Sequence, residues 1–243
     1  MKIFKKPILV ALLILVSNFS AEVRSEEFRF VSIEGLVEQR IAEILIAEIY
    51  AKIGHTVTIL PLPARRAEEM LKANKIDGEI LRIKDYGALH RGYILRVPTS
   101  FYYIETMAFA SKGLKANIRN RQDLEPYRLV KILGIKHTNN ISENMPMVTD
   151  TKTTLSMMQM LQNGRADIGL TSNIDGQETL NRMNIDDIVP VSPALAKLEL
   201  FHYLSSQRYE LLHQVDSTIK AMHRTGELEK LIEKTEKTVI HSR

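Results

Sequence analysis

Two rhythms of apolar residues alternate along this chain. Phe28 to Ile33 (FRFVSI) alternates with Val and aromatics and predicts a strand. From Leu36 to Ile53, the residues Val37, Ile41, Ile44, Leu45, Ile49 and Ile53 recur at three- and four-residue steps. That spacing predicts a helix, and Gly54 follows as its C-terminal cap. His55 to Leu60 is short and β-branched, a second strand that the Pro61 and Pro63 pair should end. Ala64 to Ala73 is rich in good helix formers and predicts a second helix. Asp77-Gly78 reads as a turn, Glu79 to Ile83 as a third strand and Tyr102 to Ala110 as another.

The pattern then restarts. Leu129 to Ile135 is a buried-type strand, Thr153 to Gln162 a helix ended by Gly164, and Ala166 to Thr171 a strand. Ile188 to Val191 is a short strand and Leu198 to Leu204 the last one. Leu211, Leu212, Val215, Ile219 and Met222 mark a helix that breaks at Gly226 and resumes through Leu228, Leu231 and Ile232. Alternating strands and helices predict an α/β sheet with parallel neighbours. Two such units with no low-complexity linker predict two lobes. Lobe 1 would take residues 26–110 plus 198–243 and lobe 2 residues 111–197. A cleft between lobes is a preferred place for a small ligand.

The first residues add a compartment. Lys2, Lys5 and Lys6 precede an unbroken apolar run from Pro7 to Val16, and a short polar stretch of small residues follows to Ala21. That order predicts a secretory signal peptide, residues 1–21, with a cut as late as Ser25 as the alternative. The run is too short to span a bilayer, which needs about 20 residues. No cysteine follows it, so lipoprotein anchoring is excluded. The expected location is the periplasm.

Charge and composition narrow the function. Loss of the three leader lysines takes the formal charge from +4 to +1, which gives no support to nucleic-acid binding. The absence of cysteine excludes thiol nucleophiles and Cys-ligated zinc. The seven histidines show no metal-ligand spacing, and Met157, Met158 and Met160 read as helical filler. There is no P-loop, dinucleotide glycine fingerprint or Gly-x-Ser-x-Gly, so neither a cofactor nor a metal is expected.

Several segments, in order and over nearly the whole chain after the leader, resemble the bacterial extracellular solute-binding proteins of family 3. Asn163-Gly164-Arg165-Ala166-Asp167-Ile168-Gly169 is similar to the family's "L-x-x-G-R-x-D" segment, and Leu71 to Gly78 to its lobe 1 counterpart. Val130 to Thr138 (VKILGIKHT) is similar to the strand and loop that open lobe 2. Leu212 to Glu233 is similar to the closing helix pair, with Gly226 at the glycine. The resemblance implies a type II periplasmic binding protein fold and ligand capture by hinge closure. Its partners would be a small molecule and an ABC permease, with a membrane sensor as the alternative and a monomer as the working form. Relatives that are dehydratases make Glu34 and Glu105 the only acid–base candidates, and nothing in the sequence pairs them.

The chain also departs from the family. Where an acid usually holds a ligand ammonium group stands Ser172, and a hydroxyl cannot neutralise a buried charge. Asp175 lies nearby at the wrong spacing. Pro63-Ala64-Arg65-Arg66-Ala67 and Asp77-Gly78-Glu79 with Arg82 resemble a divergent branch, and guanidinium forks suit carboxylates. The expected ligand is therefore small, polar and carboxylate-bearing. Its expected contacts are Arg66, Arg82, Thr138, Asn139, Ser172 and one of Tyr102 and Tyr103, because strand neighbours face opposite ways. Arg91 competes with Arg82 for the carboxylate, and an ion pair with an acid of the fold competes for Arg82 itself.

Overall fold

The computed structural model describes residues 25–90 and 92–241, so the leader and Arg91 lie outside the described residues. The first half runs β1 (Glu27–Ile33), α1 (Val37–Lys52), β2 (Thr56–Leu62), α2 (Ala64–Lys72), β3 (Gly78–Ile83), α3 (Tyr86–Leu89), β4 (Ile94–Arg96) and β5 (Tyr102–Ser111). The second runs β6 (Leu129–Ile132), α4 (Lys136–Ser142), β7 (Val148–Thr151), α5 (Thr154–Gln162), β8 (Ile168–Ser172), α6 (Asn173–Arg182) and β9 (Ile188–Pro190). Then β10 (Ala196–Ser205), α7 (Tyr209–Thr225) and α8 (Glu227–His241) close the chain.

The sheet order is β2-β1-β3-β10-β5-β8-β6-β7, with β4 on β10 and β9 on β5. The two ends mirror each other. β1 pairs parallel with β2 and β3, and β6 pairs parallel with β7 and β8. The antiparallel strands β10 and β5 join the two triplets. Three sets of buried side chains follow this division. One large core draws on Phe28 to Ile104 and Leu200 to Val239, and two smaller ones on Ala108 to Ile188. The architecture is a two-lobed α/β fold.

Local chemistry explains most boundaries. In α1, Val37, Ile41, Leu45 and Ile49 are buried as their spacing requires, whereas Ile44 is 40% exposed and Ile46 and Tyr50 fill the core instead. Gly54 and Gly226 take the left-handed conformation (φ +82° and +70°) at helix ends. Pro61 does not end β2. The strand is at the sheet edge and continues to Leu62, with Pro61 in register with Ser32, because an edge strand tolerates a missing N–H. Leu129–Ile135 is shorter as a strand than its apolar run: it stops at Ile132, turns at Gly134 (φ +83°) and enters α4. Gly78 opens β3 and does not turn the chain; a Cβ there would lie 2.2 Å from the Tyr203 carbonyl oxygen.

Candidate functional site

The ends of β1, β3, β6 and β8 meet where the lobes touch. Ile33, Leu36 and Ala64 from the first half pack against Ile132 and Ile135 from the second in a small apolar cluster of their own. Beside them Arg82, Glu38, Gln39, Lys136, His137 and Ile104 border a cavity of about 30 Å³. That space holds a water molecule and not an amino acid. A larger ligand enters this seam only if the lobes part.

Arg82 is buried at the C-terminal end of β3. Its Nε–H donates to one Glu79 carboxylate oxygen, the Tyr86 hydroxyl donates to the other, and the guanidinium lies 4.6 Å from the centre of the Tyr86 ring. A further N–H donates to the Ala64 carbonyl at 3.4 Å. The ion pair within the fold is thus present, and three of the five guanidinium donors have no protein partner among the described residues. Gln39 ties the neighbouring elements together: it accepts from Ile33 N–H and donates to the Leu81 carbonyl, each at 3.1 Å.

Across the seam, Ser172 caps α6, its Oγ accepting from Asp175 N–H at 3.2 Å. The same hydroxyl donates to Glu38 of the first half at 3.1 Å. Asp175 in turn accepts from the Val37 N–H at 3.2 Å, the first N–H of α1, and from the hydroxyls of Thr171 (2.9 Å) and Thr154. Arg40 adds an ion pair to Glu178 at 3.0 Å. The position lacking the expected acid therefore receives one from the opposite lobe.

Burial pushes Glu38 up to about 8, and the nearby Asp175 carboxylate adds to the rise against its own N–H and Ser172. Burial raises Asp175 as well, against its hydroxyl and N–H donors. Burial also drops His137 to about 4, so this ring is neutral and shares a 2.8 Å hydrogen bond with Thr106. Because the folded pKa of Glu38 lies above its ordinary value of 4.5, its contribution is complete below about 4.5 and is lost as pH rises through about 8. Stability should fall between pH 5 and 8 by an amount on the order of a few kcal/mol, and the thermal midpoint with it. Glu38→Gln should flatten that slope; an unchanged slope in a melt series across this range would refute the assignment.

The remaining expected contacts scatter. Thr138 bonds back to the Ile135 carbonyl at 3.0 Å, and Asn139 Oδ1 is a buried acceptor without a partner among the described residues. Arg66, like Arg65, is exposed on the first turn of α2 and makes no ion pair among the described residues. Tyr102 is buried, its hydroxyl donating to Glu236 at 2.7 Å, while Tyr103 is exposed. Both tyrosines front a different cavity, between β5, α6 and α8. Glu34 is exposed, and Glu105 pairs with Lys197 at 3.7 Å. Glu38, Gln39 and His137 carried no signal in the sequence, since a first-turn Glu-Gln pair reads as solvated surface. Among the described residues no helix is long and apolar enough to cross a membrane.

This is the two-lobed fold of the periplasmic binding proteins. No protein-family model and no curated protein matches the chain. Solved structures do. A mutant of the arginine-binding protein ArgBP from T. maritima is similar at TM-score 0.72 and 15% identity, over 86% of this chain and 94% of that one. The amino acid ABC transporter substrate-binding protein AbpA from Streptococcus pneumoniae, bound to L-arginine, reaches 0.71 at 15% identity, over 89% and 97%. A histidine kinase sensor domain with similarity to periplasmic binding proteins reaches 0.71 at 17%, over 87% and 96%. These likenesses bear out, at the level of fold, the resemblance read from the sequence.

Proposed function

We propose that this chain is an exported solute-binding protein that captures a small, polar, carboxylate-bearing molecule by closing lobe 1 (residues 26–110 and 198–243) on lobe 2 (residues 111–197). The observation that supports it most directly is Arg82. It is a buried guanidinium with donors to spare, bordering a seam to which both lobes contribute. Lys136 brings a second cation from the other lobe, 3.8 Å from Glu68. Guanidinium and ammonium together favour a carboxylate end on the ligand. Glu38, beside Ser172, gives the seam a hydrogen-bonding partner for a polar end. Asn139, with its unpartnered acceptor, and Thr138 would lie near the same ligand, and Arg66 would flank the entrance.

Capture would work by population shift. A ligand that contacts both lobes binds the closed state better than the open one and draws the equilibrium toward it. A thermal-shift panel of amino acids, organic acids and short peptides on the mature chain tests this. A true ligand at a hundred times its Kd stabilises by about 2.7 kcal/mol. A panel that leaves the midpoint unchanged, together with native mass spectra showing no co-purified small molecule, would remove the reading.

Delivery to an ABC-type permease is the expected use. A second reading, a receptor that passes its ligand state to a membrane signalling protein, is favoured by the sensor domain of similar TM-score. Cross-linking in membranes separates the two by whether a permease or a sensor protein is captured.

A further inference from the structure

We propose that the groove between β5, α6 and α8 is a second binding site, for a small organic cation carrying ammonium or guanidinium groups. It does not rest on carboxylate capture at the seam, and an inert carboxylate panel would leave it standing. The groove encloses about 280 Å³ and is bordered by residues from both lobes and from the strand that joins them. Its chemistry has one sign. Glu105, Glu178 and Glu236 line it, amides from Asn173, Gln177 and Asn181 supply acceptors, and no lining residue is cationic.

The aromatic wall is the second observation. Tyr102 and Tyr103 stack with ring centres 6.3 Å apart, and Tyr103 is 51% exposed although it lies on a central strand. An exposed ring beside carboxylates presents the π-face that a cation seeks. The protein already demonstrates the fit. The Lys197 ammonium lies 4.2 Å from the centre of the Tyr103 ring and 3.7 Å from Glu105. Its side chain is 61% exposed, so it can swing away. Lys197 does not line the groove but engages two residues that do, Tyr103 and Glu105, and so competes for them. Glu178 is balanced by Arg40 and Arg182. Glu236 accepts only the Tyr102 hydroxyl and has no ion pair among the described residues. Its charge is the one left for a ligand to answer.

Titration calorimetry of the mature chain with 1,4-diaminobutane at low salt tests the site. Saturable one-to-one binding is expected, with butane-1,4-diol, the uncharged analogue, giving none. Tyr103→Ala should weaken binding by about tenfold. The ring is exposed, so the variant should fold as the parent does. Glu236→Gln keeps the bond from Tyr102 and should also weaken binding. Lys197→Met removes the tethered competitor and should tighten it several-fold, a gain that loss of a structural contact would not produce. The proposal fails if the parent and Lys197→Met both show no saturable heat at millimolar diamine. It fails equally if the diol binds as well as the diamine, or if Tyr103→Ala binds unchanged.

Discussion

The Arg82→Leu protein should unfold about 3–5 kcal/mol more easily than its parent. Glu79 is 2% exposed and Arg82 4%. Without the guanidinium the Glu79 carboxylate stays buried, with the Tyr86 hydroxyl as its only remaining side-chain partner among the described residues. A chain of this length loses roughly 2–4 °C per kcal/mol, so the midpoint should drop by about 6–20 °C. Replacing both partners with methionine should recover most of the loss, because a buried ion pair is worth little against apolar side chains of similar size. Urea melts of Arg82→Leu and of the double methionine variant measure this. A loss below about 1 kcal/mol in Arg82→Leu would mean that Glu79 does not depend on the pair. Arg82 would then serve the seam alone.

Gly78→Ala should cost about 3 kcal/mol, at the upper end of the range for an added methyl in a packed site. The reason is space and not backbone freedom, since Gly78 is not among the positive-φ residues. The new Cβ would sit 2.2 Å from the Tyr203 carbonyl oxygen and 3.1 Å from Leu204 Cα. Both belong to β10, which pairs with β3 at this point and cannot retreat without opening the ladder. A melt within about 0.5 kcal/mol of the parent would show that β10 yields.

Much of the fold was legible because burial imposes a period. β1, α1 and β8 announce themselves through alternation or three- and four-residue steps, and helix ends through Gly54, Gly164 and Gly226. What was missed lacked a period or carried two meanings. β4 is three residues long, and β7 is a mostly exposed edge strand with no apolar face to alternate. α6 was hidden by its own start: Ser172 and Asp175 have the spacing of a helix cap, yet they fall where the family resemblance looks for ligand contacts. An ion pair of Arg82 with an acid of the fold was expected, but that the acid is Glu79 was not legible, for another reason. Positions three apart in a regular strand face opposite ways, so spacing argues against it. Glu38 meets Ser172 across 134 residues of chain, a contact that only the assembled sheet creates.

The two strands that join the lobes are not independent tethers. Tyr102 to Thr106 of β5 and Ala196 to Leu200 of β10 are paired antiparallel, residue by residue. Such a ribbon resists sliding along its length, because every ladder bond would have to break at once, but it yields to twist. Ile104, near the start of β5, borders both the seam and the tyrosine-lined groove. The two spaces are therefore neighbours across a single residue of that ribbon, and a change of side-chain volume at Ile104 would alter both at once.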